Sequence, residues 1–148
     1  MKEIKKILVP VDFSENSQKL VKSAIYVAKK FEAEMVVAFV VQSFDNYSGF
    51  FVPHMPLAQF EEEMVQSAEK KMENFIEENM KGSGLYKSAV LSGDVAEEIV
   101  QFAGQEKIDL IVMGTHGYKG VEKVLFGSVA EKVVKLAPCP VMTINPYK

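Results

Sequence analysis

Glycines at two places in the second half of the chain have the spacing of a phosphate-binding site. Gly114 and Gly117 follow an apolar run that ends at Met113, and Gly127 and Ser128 stand at the head of a segment with helical spacing. A glycine lets the chain turn sharply and brings backbone N–H groups close to phosphate oxygens, and a helix N-terminus adds unsatisfied donors and a favourable dipole. Together the two halves predict that the chain binds a phosphate-bearing ligand.

Each half also has a purely structural interpretation. The first two glycines could serve only to make a turn, and Ser128 could serve only to cap a helix. The common phosphate loops are absent from the sequence, because no Gly-x-Gly-x-x-Gly fingerprint occurs at these glycines and Lys119 lacks the Gly-Lys-Ser/Thr ending of a P-loop. The glycines therefore indicate a phosphate site of a different kind.

Composition limits the class of protein. With 148 residues, 48% of them hydrophobic, the chain matches one domain over residues 1–148. A net charge of −3 argues against a nucleic-acid partner, since a surface that binds a phosphate backbone is normally basic. No stretch approaches the roughly 18 apolar residues of a membrane helix. Because Cys139 is the single cysteine, neither a disulfide nor a metal site is predicted, and a reducing cytoplasm is expected.

Short β-branched runs alternate with longer segments of helical spacing. The predicted strands are residues 7–11, 35–41, 86–91, 108–113 and 140–144. The predicted helices are one from about Ser17 to Lys30, one around 60–76, one after the N-cap Asp94 and one around 129–136. This alternation predicts an α/β fold, a Rossmann-like five-stranded parallel sheet with helices on both faces.

One long irregular stretch, residues 42–56, separates the second strand from the second helix. It is rich in aromatic residues, among them Phe44, Tyr47 and Phe50. Loops of about this length are uncommon within compact domains and are often functional. These aromatic side chains could cover a ligand or a partner, or they could pack against the edge of the domain.

With these elements in place, the motif Gly114-x2-Gly117-x9-Gly127-Ser128 resembles the nucleotide-binding motif of the universal stress protein family. Other segments agree with this resemblance. Ile7–Ser14 is similar to the family's first strand and the turn after it, Asp109–Gly114 to its fourth strand, and Cys139–Met142 to its last strand. The similarity extends over essentially the whole chain.

The resemblance implies a strand order of 3-2-1-4-5 and an adenine nucleotide as ligand. In members that carry the glycine motif this ligand is ATP, with ADP or AMP as related ligands and Mg²⁺ as an accompanying ion. Because the winding direction reverses between strands one and four, a ligand would lie outside their carboxyl ends. Asp12 and Gly114 stand at those two ends.

Carried over to this sequence, the resemblance implies three sets of nucleotide-binding residues. The set expected to contact adenine and ribose comprises Pro10, Val11, Asp12 and Val40. The set at the end of the fourth strand comprises Met113, Gly114, His116 and Gly117. The set expected to close around the phosphates comprises Gly127, Ser128 and Val129.

Several of these residues also have a plain structural interpretation. Asp12 could belong only to a helix-entry turn shared with Ser14. Val40 and Met113 occupy positions that suit core residues of a strand. His116, like Lys119, could be a solvated loop residue that adds no charge to a ligand.

The sequence favours a binding protein over an enzyme. Phosphoryl transfer needs a positioned nucleophile and concentrated positive charge, and no such group stands beside the glycines. A nucleotide-dependent module for stress response or signalling is therefore expected. The alternatives are a slow ATPase that acts as a timed switch and a structural dimer that binds no nucleotide.

The resemblance also implies a homodimer through strand five. The order 3-2-1-4-5 places Pro140–Ile144 at an edge of the sheet, where unpaired backbone groups are available to a second copy. Alternatively, Pro140 and the tail 145–148 could blunt this edge and leave a monomer.

Overall fold

The computed structural model describes residues 2–43, 57–116 and 127–148. Within these residues, five strands alternate with four helices. Strands β1 to β5 are Lys6–Pro10, Glu34–Gln42, Tyr86–Gly93, Leu110–Gly114 and Val141–Ile144. Helices α1 to α4 are Glu15–Phe31, Leu57–Asn79, Val95–Gln105 and Ser128–Leu136. None of these helices has both the length and the apolar character that crossing a bilayer requires.

The strands form one parallel sheet in the order β3-β2-β1-β4-β5. This confirms the predicted fold and the strand order. Leu8 of β1 lies opposite Val36 of β2 on one side and Ile111 of β4 on the other. Since β1 and β4 are neighbours, the winding direction reverses between them, and a crevice is expected at their carboxyl ends.

Helices cover both faces of the sheet. Ile7 and Val9 of β1 pack in one core cluster with Leu20 of α1 and Met72 of α2. Leu8 lies in a second core cluster that includes residues of α3 and α4. Successive side chains of a strand point to opposite faces, so the single apolar run of β1 supplies both layers.

Side-chain caps set where two of the helices begin. Ser14 is the N-cap of α1 and accepts a hydrogen bond from the N–H of Ser17, so the helix begins at Glu15, earlier than the predicted Ser17. The predicted cap of α3 is confirmed, because the Asp94 carboxylate accepts from the N–H of Glu97 at 3.1 Å. Both caps stand at the end of the sheet where the predicted site lies.

Strand β4 begins at Leu110, later than the predicted start at residue 108. Lys107 has a left-handed conformation with φ 54°, which ends the preceding helical segment. Asp109 then accepts from the backbone N–H groups of Lys5 and Lys6, each at 3.0 Å. These bonds tie the start of β4 to the start of β1, so the two strands enter the sheet side by side.

Candidate functional site

A cavity of about 550 Å³ opens at the carboxyl ends of β1 and β4. This is the position at which the reversal of strand order predicts a ligand, and pockets of roughly 300–1,000 Å³ are typical of small-molecule sites. The structure brings most of the predicted site residues to this cavity: Pro10, Val11, Asp12, Met113, Gly114, His116, Gly127, Ser128 and Val129.

Of the two remaining predicted residues, Val40 is not among the residues that line this cavity, and Gly117 cannot be placed because it is not among the described residues. Val40 lies in β2, is 7% exposed and packs in the second core cluster, so its position is that of a core strand residue. Gly117 lies outside the described residues, as do Lys119 and the aromatic stretch 44–56. Met113 is consistent with both of its interpretations, as a core residue and as a site residue. It is buried in the second core cluster and also borders the cavity.

Asp12 organises the turn between β1 and α1. Its Oδ1 accepts from the N–H of Ser14 at 2.9 Å, from the hydroxyl of Ser17 at 2.7 Å and from the hydroxyl of Ser14. In return, Oγ of Ser17 accepts from the N–H of Asp12 at 2.8 Å. The helix-entry turn is therefore present, and the carboxylate that builds it also borders the cavity.

Phe13 holds this turn against the core. Its φ of 64° lies in the left-handed region, which is unfavourable for a bulky side chain. Its ring stacks on Phe39 with the centroids 4.5 Å apart and meets Phe75 edge-on at 5.7 Å. This packing offsets the cost of the backbone conformation and keeps Asp12 at the end of β1.

Polar side chains of α1 that the sequence analysis missed also line the cavity. Asn16 and Ser17, in the first turn of the helix, are 8% and 5% exposed and border the cavity. A signal was available in the sequence, because the polar run from Ser14 to Ser17 begins two positions after Asp12 and the apolar stripe of the helix begins only at Leu20. Polar residues in the turn that follows a strand end commonly serve a site.

One wall of the cavity is apolar. Val11 and Met113 come from the ends of β1 and β4, Leu20 from α1, and Val95 and Ile99 from α3. Burial of apolar ligand surface against such a wall contributes about 25 cal/mol per Å². The wall therefore suits the flat apolar part of a ligand, such as a heterocyclic base.

The N-terminus of α4 forms another wall. The first bond within this helix runs from the N–H of Glu131 to the carbonyl of Gly127 at 3.0 Å. The N–H groups of Ser128, Val129 and Ala130 precede that bond and have no carbonyl partner in their own helix. All three residues line the cavity, where their donors and the helix dipole favour an anion.

Gly127 itself is the N-cap of α4, with φ −60° and ψ 152° and no side-chain capping bond. The interpretation of Ser128 as a helix cap is therefore wrong, because Ser128 is the first residue inside the helix. An added Cβ at Gly127 would meet only the carbonyl oxygen of Thr115, at 3.9 Å. The backbone conformation at Gly127 therefore does not require glycine.

The segment after β4 is bonded to the end of β5. The N–H of Thr115 donates to the carbonyl of Ile144 at 3.0 Å, and Oγ1 of Thr115 lies 2.8 Å from Nδ1 of His116. His116 is thus held at the cavity by a neighbour that is itself held by β5. The end of β5 is therefore linked to the cavity through Thr115 and His116.

The cavity offers few charged groups. Among its described lining residues, Asp12 is the one carboxylate and His116 the one imidazole, and there is no lysine or arginine. Within the described part of the chain, no group of three or more His, Cys, Asp or Glu side chains is placed to hold a metal ion. Anion binding by these residues would therefore rest on backbone N–H groups and hydroxyls.

A second cavity, of about 630 Å³, lies at the opposite end of the sheet beside Asp109 and Cys139. Burial and the nearby Asp109 carboxylate raise the pKa of the Cys139 thiol, although a hydrogen bond with the backbone of Ile111 lowers it. A raised pKa keeps the thiol protonated and therefore a poor nucleophile. This end of the sheet lacks both the helix N-terminus and the glycine motif.

The fold and the first cavity define an open α/β protein with a ligand crevice at the reversal of its strand order. The chain belongs to the universal stress protein family, whose family model matches residues 3–145. The universal stress protein MJ0531 of Methanocaldococcus jannaschii is 40% identical to it over 151 residues, which cover 97% of this chain and 84% of the relative.

Solved structures of the same family share the fold. Universal stress protein UspA from Lactobacillus plantarum matches with a TM-score of 0.80 at 28% identity, covering 97% of this chain and 99% of that one. The universal stress protein from Archaeoglobus fulgidus in complex with dAMP matches with a TM-score of 0.67 at 20% identity, covering 97% and 99%. The second likeness shows the fold alone.

Replacement of Ser17 by alanine is expected to lower the free energy of unfolding by about 1–3 kcal/mol. The substitution removes the acceptor of the Asp12 N–H and one donor to the Asp12 carboxylate in a partly buried turn. Urea denaturation followed by circular dichroism would measure the change. Ser88→Ala, at an exposed position of β3, is the matched control and should stay close to wild type. Equal stability of the two variants would contradict this role of Ser17.

Proposed function

We propose that this universal stress protein binds an adenine nucleotide, ATP or the related ADP or AMP, in the cavity between β1 and β4. One observation carries the proposal, namely that the unpartnered N-terminus of α4 and an apolar wall face the same cavity. The helix end suits phosphate and the apolar wall suits a base. The protein would act as a one-domain cytoplasmic module of stress response or signalling.

Within this site, Pro10, Val11 and Asp12 would contact the adenine and ribose. Gly127, Ser128 and Val129 would surround the phosphates with backbone donors. We include Gly117 among the nucleotide-binding residues only because it belongs to the glycine motif of the sequence. Mg²⁺ would enter with the nucleotide, bound mainly by phosphate oxygens.

The Archaeoglobus fulgidus relative in complex with dAMP supports the choice of ligand, because that protein holds an adenine nucleotide on the same fold. Its identity to this chain is 20%, so the case for a nucleotide here rests on the cavity's own residues. A purine ring suits the apolar wall of the cavity, and phosphate suits the N-terminus of α4.

Binding is favoured over catalysis by the same residues. A kinase or ATPase surrounds the γ-phosphate with cationic side chains and a positioned nucleophile or water. The described lining residues include neither lysine nor arginine. A slow ATPase is the competing function, and it would be recognised by phosphate release that requires both Ser128 and a divalent metal.

The purified protein is expected to bind ATP at least about tenfold more tightly than GTP, a difference of about 1.4 kcal/mol. The apolar wall should accept either purine by shape, while backbone groups near the base should discriminate between their edges. Isothermal titration with each nucleotide, and with ADP and AMP, would measure the affinities. Equal affinity for ATP and GTP would contradict adenine recognition.

Gly127→Val is expected to weaken ATP binding by about 100-fold or more while leaving the thermal unfolding midpoint close to wild type. The backbone angles at Gly127 are open to any residue, so the fold should tolerate the change. The added branches would fill the space through which a phosphate approaches the helix end. Gly104→Val is the matched control, because an added Cβ there meets nothing within 4 Å and the position is remote from the cavity. Unchanged titration of Gly127→Val would count against the site.

We also propose a homodimer through β5, which lies at an edge of the sheet. Apolar side chains are exposed around this strand: Met142 is 38% exposed, and Val134 and Leu136 of the neighbouring α4 are 46% and 55% exposed. The tail does not run along this edge, because Tyr147 contacts His116 instead. An apolar edge of this kind suits an isologous contact with a second copy.

The pairing of β5 with β4 shows which backbone groups face the edge. The carbonyl of Pro140 accepts from the N–H of Ile111 in β4, and the carbonyl of Ile144 accepts from the N–H of Thr115 just after β4, each at 3.0 Å. Along a strand, the backbone N–H and C=O groups of successive residues point to opposite sides. The backbone groups of Met142 therefore also point toward β4, whereas those of Thr143 point away from the sheet. Proline at Met142 would damage the sheet itself, and proline at Thr143 would remove only an outward N–H group.

Thr143→Pro is therefore expected to convert the dimer to a monomer without unfolding it, and Thr143→Val, which keeps the N–H group, should remain dimeric. Multi-angle light scattering at micromolar concentration would give the masses, and circular dichroism would check the fold. A wild-type mass near the 16.5 kDa of one chain would contradict the dimer.

A further inference from the structure

The chain after β5 turns back toward the nucleotide cavity. The N–H of Tyr147 donates to Oδ1 of Asn145 at 2.9 Å, and the N–H of Lys148 donates to the carbonyl of Asn145 at 3.2 Å. These bonds form a compact turn over residues 145–148. The turn places the Tyr147 side chain, which is 51% exposed, at the rim of the cavity.

Tyr147 contacts both sides of the crevice. From α1, Nδ2 of Asn16 donates to the Tyr147 hydroxyl at 3.4 Å, and Nζ of Lys19 lies 5.8 Å from the centroid of the Tyr147 ring. From the segment after β4, the His116 ring meets the Tyr147 ring edge-on, with centroids 5.1 Å apart and an interplanar angle of 78°. Aromatic pairs favour this geometry.

Two of these partners line the cavity. Asn16 borders it from the α1 side and His116 from the β4 side. His116 follows the end of β4 and has no regular secondary structure to hold it. Its imidazole lies within hydrogen-bonding distance of Thr115 and makes an edge-on ring contact with Tyr147, so the Tyr147 ring restricts where the imidazole can lie.

We propose that Tyr147 is a positioning residue of the nucleotide site, which bridges α1 and the segment after β4 and holds Asn16 and His116 at the cavity. This inference rests on the proposed nucleotide function. A side chain held in its bound position before the ligand arrives lowers the entropic cost of binding. The C-terminal turn therefore contributes to nucleotide affinity.

The experiment compares Tyr147→Ala and Tyr147→Phe with Tyr26→Ala. Tyr26 is a matched control, because it is 65% exposed on α1 and has Nζ of Lys30 5.3 Å from its ring centroid, and it does not border the cavity. Each variant is measured in two ways: by isothermal titration with ATP, and by the NMR signals of the His116 ring in the ligand-free protein. A His54→Gln background leaves His116 as the single imidazole to observe.

Tyr147→Ala is expected to weaken ATP binding by about tenfold and to shift the His116 signals, because the neighbouring aromatic ring is lost. Tyr147→Phe keeps the ring and should hold the His116 signals near their wild-type positions, while loss of the hydroxyl weakens binding by about threefold. Tyr26→Ala should leave both measurements unchanged.

Wild-type affinity for ATP in Tyr147→Ala would overturn the inference, as would unchanged His116 signals in that variant. A loss of affinity equal in Tyr147→Ala and Tyr26→Ala would also overturn it, since an effect on the helix would then explain both. If the wild-type protein binds no adenine nucleotide, the proposed function itself fails. That outcome differs from a failure of the Tyr147 role alone, in which the wild type binds ATP and Tyr147→Ala matches it.

Discussion

The parallel pairing of β1 with β4 is the contact on which the rest of the structure depends. Leu8 and Ile111 lie opposite each other in this pairing, and both are fully buried. Because the helices that follow these strands cover different faces of the sheet, the chain leaves the two strand ends in diverging directions and opens a crevice between them. The apolar wall and the α4 N-terminus of the candidate site both border this crevice.

The chemistry of the crevice follows from how its backbone is satisfied. In the turn after β1, side chains bond the backbone: Ser17 accepts from the N–H of Asp12, and Asp12 accepts from the N–H of Ser14 and the hydroxyl of Ser17. At α4 the opposite holds, because Gly127 brings no capping side chain and leaves donors directed at the cavity. The site therefore joins a rigid turn to an unsatisfied helix end. In the proposed function, the attraction for an anion would come from the backbone N–H groups of α4, because the described lining residues include neither lysine nor arginine.

The edge strand β5 and the cavity share one segment. Thr115 is bonded to Ile144 of β5, and Tyr147, just beyond that strand, packs on His116. A displacement of the end of β5 would therefore also move Thr115 and His116, which line the cavity. If a second copy pairs on this edge, as proposed, it would stabilise the same strand that borders the proposed nucleotide site, so assembly and ligand binding would be linked thermodynamically.

The sequence by itself predicted the strands, the helices and their parallel arrangement, and its resemblance to the universal stress protein family implied most of the residues that line the cavity. Apolar periodicity and the spacing of Gly114, Gly127 and Ser128 are local properties, which neighbouring residues express directly. Tertiary structure decided that Val40 packs in the core, and it brought the polar first turn of α1, with Asn16, to the wall of the cavity. It also joined Asn16 to Tyr147 across 131 positions of sequence. Contacts of that kind depend on which strand ends meet, and no local pattern in the sequence records the distance between them.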